Sequence, residues 1–249
     1  MKLSIIALLA FIPVAFNCLA DCAGTGLSAF PYQGEINKNT VFVLDGYAES
    51  QQVINGLNEK FPVYLKSGDE RIPLKVLEIH VGQFYLTQAV LKPEMSLIPG
   101  KKYQLVIDHL PDYEKLGVYN LKTHGFDPIS YFVTDTTDME APVWTEKPQE
   151  KDKSLTHFGC GPSIHVNFKM DVKEQSEFLV KTTVKNRKTG TETIYYIGGK
   201  EGLSIGHGMC SGAFTFDDSL EYEAKFQLMD ASGNISEETD WIAFTKPID

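Results

Sequence analysis

Apolar and polar residues alternate with a period of two, or form short apolar runs, along most of the chain after residue 40. This pattern predicts β-strands, because successive side chains of a strand point to opposite faces of a sheet. In the first half, turns rich in glycine, aspartate and proline separate the apolar runs. The predicted strands of this half cover residues 41–44, 63–65, 74–79, 84–86 and 103–107, and residues 50–60 suit a short helix.

The second half repeats the strand pattern, and one pair of its strands forms a predicted hairpin. Residues 178–184 and 193–197 are rich in β-branched and aromatic side chains, and the turn at residues 186–190 lies between them. Further predicted strands cover residues 164–168, 222–228 and 241–244. Short strands at this spacing indicate an all-β protein built from antiparallel sandwiches.

A polar, proline-flanked stretch near the middle of the chain predicts a domain boundary. Residues 134–138 are polar or charged, and prolines at 142 and 148 favour an extended chain leading into an edge strand. We therefore expect a first domain at residues 21–134, a linker at 135–142 and a second domain at 143–249. Each domain is expected to fold independently.

The first twenty residues have the composition of a secretory signal peptide. Lys2 supplies the positive start, residues 3–16 are almost entirely apolar, and small residues precede the expected cleavage before Asp21. We expect an exported protein that is periplasmic, displayed on the outer surface or secreted. No later apolar run is long enough to span a membrane. The formal net charge of −10 argues against nucleic acid and anionic surfaces as partners.

Each half also contains a turn that leads into a strand beginning with a tyrosine. Tyr103 follows the Pro99–Gly100 turn, and Tyr222 begins a strand that ends at the turn of residues 230–234. These segments resemble bacterial secreted proteins with tandem immunoglobulin-like or fibronectin type III-like domains. The resemblance implies two Ig-like sandwiches in which Tyr103 and Tyr222 are buried corner residues whose hydroxyls bond to nearby backbone.

Three cysteines follow the predicted signal peptide, and two of them have similar surroundings. Cys160 and Cys210 both lie beside glycines, so a disulfide between them is the expected state in an exported domain. The alternative is a zinc site, because His157 and His207 each lie three residues before one of these cysteines.

Cys22 then has no predicted partner within its own domain. It is expected to be an unpaired or intermolecular thiol if the signal peptide is cut before Asp21. The alternative is lipidation of Cys22, because residues 19–22 partly match a bacterial lipoprotein signal. Asp21 departs from the small residue that such a signal normally has at this position.

Two histidine motifs of metal-dependent catalysis are absent from the sequence, His-x-x-x-His and His-Glu-x-x-His. We expect no catalytic residue, no cofactor and no metal site. A calcium site from Asp135, Asp138 and Glu140 is a minor alternative. Aromatic residues on strands are expected to be core residues, although six of them are also suited to a sugar or peptide surface: Phe30, Tyr32, Phe84, Tyr85, Tyr195 and Tyr196.

The function expected from these features is a non-enzymatic, exported Ig-like protein that acts as a binding, adhesion or spacer module. Its partner is expected to be an unidentified protein or glycan of the cell envelope. The alternative is an exported hydrolase or an accessory subunit of a glycan-active enzyme, since sandwich folds host many activities. An acidic pocket with two nearby carboxylates would favour that alternative.

Overall fold

The computed structural model describes residues 22–199 and 202–248, so the predicted signal peptide lies outside the described residues. Within this part, 17 strands and one short helix form the secondary structure. Two apolar cores lie on either side of residues 134–142, which form neither helix nor strand.

The first core lies within a single folded sheet of eight strands. Strand β5 joins its two halves, because its first residues pair with β4 and its remaining residues pair with β6. Two short strands between β7 and β10 form a separate hairpin. The elements are β1 (Thr25–Phe30), β2 (Gly34–Ile36), β3 (Phe42–Ala48), α1 (Gln51–Asn55), β4 (Val63–Ser67), β5 (Glu70–Val81), β6 (Leu86–Pro93), β7 (Lys102–Ile107), β8 (Val118–Asn120), β9 (Gly125–Asp127) and β10 (Ser130–Val133).

The second core lies between two antiparallel sheets, one of order β11-β12-β15 and one of order β14-β13-β16-β17. Alternate residues of β12 and β15 face those of β13, β16 and β17, as the period of two requires. The strands are β11 (Val143–Phe158), β12 (Gly161–Lys173), β13 (Phe178–Asn186), β14 (Glu192–Gly198), β15 (Leu203–His207), β16 (Glu221–Asp230) and β17 (Ile242–Thr245).

Both halves are therefore Ig-like β-sandwiches. Three strands packed on four in the second half, and a sheet folded over one core in the first, confirm the predicted all-β fold class. The predicted hairpin of β13 and β14 is present. Two elements differ from prediction: the helix is limited to Gln51–Asn55, and Phe84 and Tyr85 lie in a loop before β6 rather than in a strand.

The two corner tyrosines occupy equivalent places but differ in their hydrogen bonding. Tyr222 is buried, and its hydroxyl accepts a hydrogen bond from the N–H of Asp217 at 2.9 Å and donates one to the carboxylate of the same residue at 2.8 Å. Tyr103 is fully buried near Ile98 and Glu70, but its hydroxyl makes no hydrogen bond of ordinary geometry to a described residue. The expected hydroxyl–backbone bond is therefore absent at Tyr103.

We expect this difference to appear in stability. Tyr222→Phe leaves the Asp217 N–H without its acceptor and should lower the free energy of unfolding by about 1–2 kcal/mol. Tyr103→Phe should change it by less than about 0.5 kcal/mol, because no hydrogen bond is lost. Chemical denaturation of the two variants beside the wild type measures both values. Equal losses of unfolding free energy in the two variants would contradict the difference in hydrogen bonding between Tyr222 and Tyr103.

Candidate functional site at the domain junction

The two sandwiches share an apolar junction. Alternate residues of β3 face the first core, and the residues between them face the second domain. The run at residues 41–44 is therefore buried on both sides, which explains why it is continuously apolar. The residues that pack together between the domains, with Phe30 at their edge, are Val41, Val43, Val90, Leu179, Tyr196 and Met229.

Polar side chains of the first domain hold the same face to β14. The amide of Gln88 donates to the carbonyl oxygen of Tyr196 at 3.1 Å and accepts from its N–H at 3.1 Å. The Gln88 side chain therefore bonds to the backbone of Tyr196 with the donor and acceptor pattern of a neighbouring strand. Gln88 also donates to Asp45 at 3.0 Å, and the Tyr195 hydroxyl donates to the same carboxylate oxygen at 2.5 Å.

Asp45 is the acidic residue at the centre of this polar group. Part of the residue remains accessible to solvent, but its carboxyl group lies deep between the two domains. Burial raises the pKa of Asp45 to about 6, and the hydrogen bonds from Tyr195 and Gln88 oppose the increase only in part. Burial and the neighbouring Asp45 likewise raise the pKa of Tyr195.

A group of charged residues borders the apolar junction beside Tyr196. Glu78 contacts His80 at 2.8 Å and Lys181 of the second domain at 3.4 Å, and the His80 ring packs edge-on against Tyr196. Burial lowers the pKa of His80. Lys181 also lies over the Tyr196 ring, 5.5 Å from its centre. These contacts extend the junction toward the edge of β5.

The turn after β16 closes another part of the junction. Ala231 accepts a hydrogen bond from the N–H of Val41 at 2.9 Å, and Ser232 accepts one from the side chain of Asn37 at 3.1 Å. Gly233 has φ +83°, and a Cβ there would lie 2.8 Å from the Val41 side chain. Glycine is therefore needed for this approach of the turn to β3.

The loop before β6 crosses into the second domain. Phe84 and Gly212 exchange two backbone hydrogen bonds of 3.1 and 2.9 Å, and the N–H of Gln83 donates to Ala213 at 3.0 Å. A Cβ at Gly212 would lie 2.2 Å from the Cβ of His207, so this contact also requires glycine. The loop thereby brings residues 208–212 against the first domain.

A disulfide joins the domains beside this loop. Cys22 is bonded to Cys210 across 188 residues of sequence, so the predicted bond between Cys160 and Cys210 is wrong. The physical reason is the pairing of Phe84 with Gly212, which carries Cys210 to the start of β1. The Cys22 sulfur in this bond is not available for a lipid thioether. The Cys210 sulfur is likewise not available to bind zinc as a thiolate.

The disulfide, Cys160 and the loop before β6 line one cleft of about 560 Å³ at the junction. Tyr85 is 58% exposed on its rim. Two non-glycine residues with left-handed backbone meet here: Ala48 at φ +50° and Tyr85 at φ +55°. The N–H of Ala48 donates to the carbonyl oxygen of Tyr85 at 3.0 Å, which ties the two strained residues together. The lining residues are Cys22, Tyr47, Ala48, Glu49, Gln51, Gln52, Phe84, Tyr85, Cys160, Met209 and Cys210.

The carboxylates of the described residues are not arranged as a catalytic pair in either cleft. Glu49 is the single acidic residue that lines the junction cleft. A second cleft, of about 420 Å³ between β11 and β17, is lined by no described acidic residue.

Groups of three or more potential metal ligands are also absent from the described residues, and Asp135 forms an ion pair with Lys38 at 3.0 Å. No helix in residues 22–199 or 202–248 has the length and apolar character needed to span a membrane.

Of the six aromatic residues proposed for a surface, the structure brings two to the cleft and others to the junction. Phe84 and Tyr85 line the cleft, whereas Tyr196 and Phe30 pack between the domains. The Tyr195 ring packs in the second core and its hydroxyl reaches Asp45, and Tyr32 is exposed. Sequence reasoning missed Asp45 and Gln88 as junction residues. A signal existed at Asp45, which is an acid directly after four apolar residues of a predicted strand.

No protein-family model matches the chain, and no curated protein matches it. Solved structures align at low similarity: the pullulanase of Bacillus subtilis strain 168 complexed with maltose shows 12% identity and a TM-score of 0.27 over 90% of this chain and 25% of that chain. The three fibronectin domains FN1–FN3 of chicken CNTN1 show 12% identity and a TM-score of 0.28 over 88% of this chain and 64% of that chain.

The N-terminal part of the bacterial S-layer protein SbsC also aligns, with 12% identity and a TM-score of 0.25 over 89% of this chain and 43% of that chain. The present chain spans about a quarter of the length of the pullulanases with which it aligns. These alignments are too distant to assign an activity to the chain, and the sandwich fold rests on the strand order described above.

The disulfide leads to a prediction for peptide mapping and stability. Digestion without reductant should yield a peptide pair that joins Cys22 to Cys210, and Cys160→Ser should leave this pair intact. The Cys22→Ser/Cys210→Ser double variant should lose about 5 kcal/mol of unfolding free energy, as expected from loop closure for so long a loop. A peptide pair that joins Cys160 to Cys210 would contradict the pairing.

Asp45 predicts a specific pH dependence. Its pKa is raised in the folded protein from 3.8 to about 6, so the folded state keeps a proton that the unfolded state has lost. The stability from this group is greatest below pH 3.8 and falls as the pH rises to about 6. Asp45→Asn keeps a hydrogen-bond acceptor for Tyr195 and Gln88 but removes the titration. Between about pH 4 and pH 7 the variant should therefore gain about 2–3 kcal/mol relative to the wild type.

Urea denaturation across this pH range measures the difference. Asp69→Asn, at an exposed position in the turn between β4 and β5, is the matched control for the Asp-to-Asn exchange itself. If the difference in unfolding free energy between Asp45→Asn and the wild type is the same at every pH, the pKa of Asp45 is the same in the folded and unfolded states and the prediction is wrong.

Proposed function

We propose that this protein is a non-enzymatic, exported binding module in which two Ig-like domains, at residues 21–134 and 143–249, are fixed in one arrangement and recognise a ligand with a surface that both contribute. The observation that carries this proposal is the junction itself. It combines an apolar cluster, the buried hydrogen bonds of Asp45 and Gln88, and the disulfide between Cys22 and Cys210.

A junction of this kind holds domains more firmly than a linker does. Contacts between domains of one chain are usually polar and permit relative motion. Here the shared face excludes water from Val43 and Val90 and satisfies the side chain of Gln88 through the backbone of Tyr196. A fixed angle lets residues of both domains act as one surface, which favours binding through preorganisation.

Export is supported by the disulfide. Disulfides persist in extracytoplasmic compartments, and the net charge of −10 favours solubility over adhesion to anionic surfaces. The alternative of a glycan-cleaving hydrolase has less support, since a pair of facing carboxylates is the usual requirement for glycan cleavage. The described lining of the junction cleft supplies Glu49 alone.

Small-angle X-ray scattering tests the fixed arrangement. The wild type should scatter as one rigid body whose profile fits a single conformation. Val43→Asp places a charge in the junction and, combined with Cys22→Ser and Cys210→Ser, should give a larger radius of gyration and a profile that needs several conformations. Leu121→Asp, at a side chain that is 79% exposed on the β8–β9 hairpin, is the control for the added charge.

Binding is tested with the same proteins. Immobilised wild type and Leu121→Asp should retain the same cell-envelope component, and the open triple variant should retain less of it, because the surface is composite. A wild type that scatters as two freely moving domains would contradict the proposal. Retention that is independent of the junction, or turnover of envelope polysaccharide, would also contradict it.

A further inference from the structure

We propose that the junction cleft binds an uncharged oligosaccharide and that the Tyr85 ring stacks on a sugar face there. This inference rests on the proposed function, because the first domain supplies Tyr85 and the second supplies Met209 to the same cleft. Three observations carry it: the strained backbone at the rim, the paired backbone of β3 on one side of the cleft, and the chemistry of the exposed side chains.

The backbone at the rim is held in a conformation that its residues do not favour. Tyr85 at φ +55° carries a bulky side chain in a region that L-residues avoid. Hydrogen bonds on both sides fix this geometry, from Ala48 to Tyr85 and between Phe84 and Gly212. A strained backbone persists where several surrounding contacts hold it in place, and strained residues are concentrated at functional sites. Its result here is an aromatic ring that is 58% exposed at the mouth of the cleft.

The backbone of β3 and of the residues that follow it, which form one side of the cleft, has its hydrogen bonds satisfied within the protein. Strand β3 pairs with β1 on one side and β6 on the other. The N–H groups of Ala48, Glu49 and Ser50 donate to Tyr85, Gly24 and Tyr47. An extended peptide would therefore find no open edge on β3, which disfavours strand addition to the strand that contributes Tyr47 and Ala48 to the lining. A ligand that lies against β3 is held there by side chains.

The side chains that remain exposed suit a sugar. Gln51 is already engaged, because its amide donates to Ala48 and accepts from Thr87. Glu49 and Gln52 are exposed and provide carboxylate and amide groups for hydroxyls. An aromatic ring beside planar polar groups matches a ligand with an apolar carbon face and polar edges. No lysine or arginine is among the described lining residues, so an anionic ligand would lack a partner and would meet Glu49.

Saturation-transfer NMR with a panel of uncharged trisaccharides of glucose, mannose and N-acetylglucosamine tests the proposal at millimolar concentrations. The wild type should transfer saturation to at least one trisaccharide. Tyr85→Asn should weaken that binding about tenfold, which corresponds to the loss of one stacking contact. Asparagine tolerates the left-handed backbone, so this variant should unfold at the same or a higher denaturant concentration than the wild type.

Two further variants separate stacking from folding. Tyr85→Trp keeps an aromatic face and should retain binding. Tyr119→Asn removes a comparably exposed tyrosine, 49% accessible on β8 and not part of the cleft lining, and should bind like the wild type. Failure of the wild type to bind any of the panel would overturn the proposal, and so would equal binding by wild type and Tyr85→Asn.

This experiment can fail independently of the proposed function. A wild type that is rigid in scattering and retains an envelope component, but binds no trisaccharide, overturns the sugar assignment alone. A wild type with mobile domains overturns the fixed arrangement as well.

Discussion

The outer face of β3 and β6 is the constraint on which the arrangement of this molecule depends. Val43 and Val90 lie on the side of the sheet opposite the first core, and burying them requires a second apolar surface. The second domain supplies that surface through β13, β14 and β16. Once these faces pack together, the loop before β6 meets residues 212–213 and the start of β1 meets Cys210. The disulfide and the cleft are thus consequences of one packed interface.

Asp45 gives this apolar interface a fixed register. A purely hydrophobic contact between two sheets tolerates sliding, whereas a buried carboxyl group must keep its partners. Gln88 is the cross-strand neighbour of Asp45 on β6, and the Tyr195 hydroxyl of β14 donates to the same carboxylate. Gln88 also makes two hydrogen bonds to the backbone of Tyr196, the residue after Tyr195, and these hold β14 in the same position. The hydrogen bonds of Asp45 and Gln88 are therefore part of how the angle between the domains is specified.

The sequence predicted the elements whose pattern is set locally and missed those set by contacts between the domains. Strands β7, β13 and β16 were predicted because half-buried strands alternate, and the turn chemistry beside them is strong. Residues 84–86 have strand-forming side chains, yet hydrogen bonds to residues 48 and 212 hold Tyr85 in a left-handed conformation. No local pattern encodes such a contact.

The cysteine pairing was missed for a related reason. Cys160 and Cys210 are closer in sequence than Cys22 and Cys210, but the entropy of loop closure increases only slowly with length. Separation along the chain is therefore a weak guide to pairing, and the domain junction decides it. The continuous apolar run at residues 41–44 indicated burial on two sides without showing which surface covers the second side.

The position of the disulfide has a mechanical consequence. Residues 23–209 lie inside the covalent loop that it closes, and this loop contains β1 to β15. A pulling force applied to the chain on either side of the loop passes from Cys22 through the sulfur–sulfur bond to Cys210. The first sandwich and most of the second carry none of that load, which falls instead on β16 and β17. Tension applied in this way would separate β16 and β17 from the second sandwich before it reached the first one.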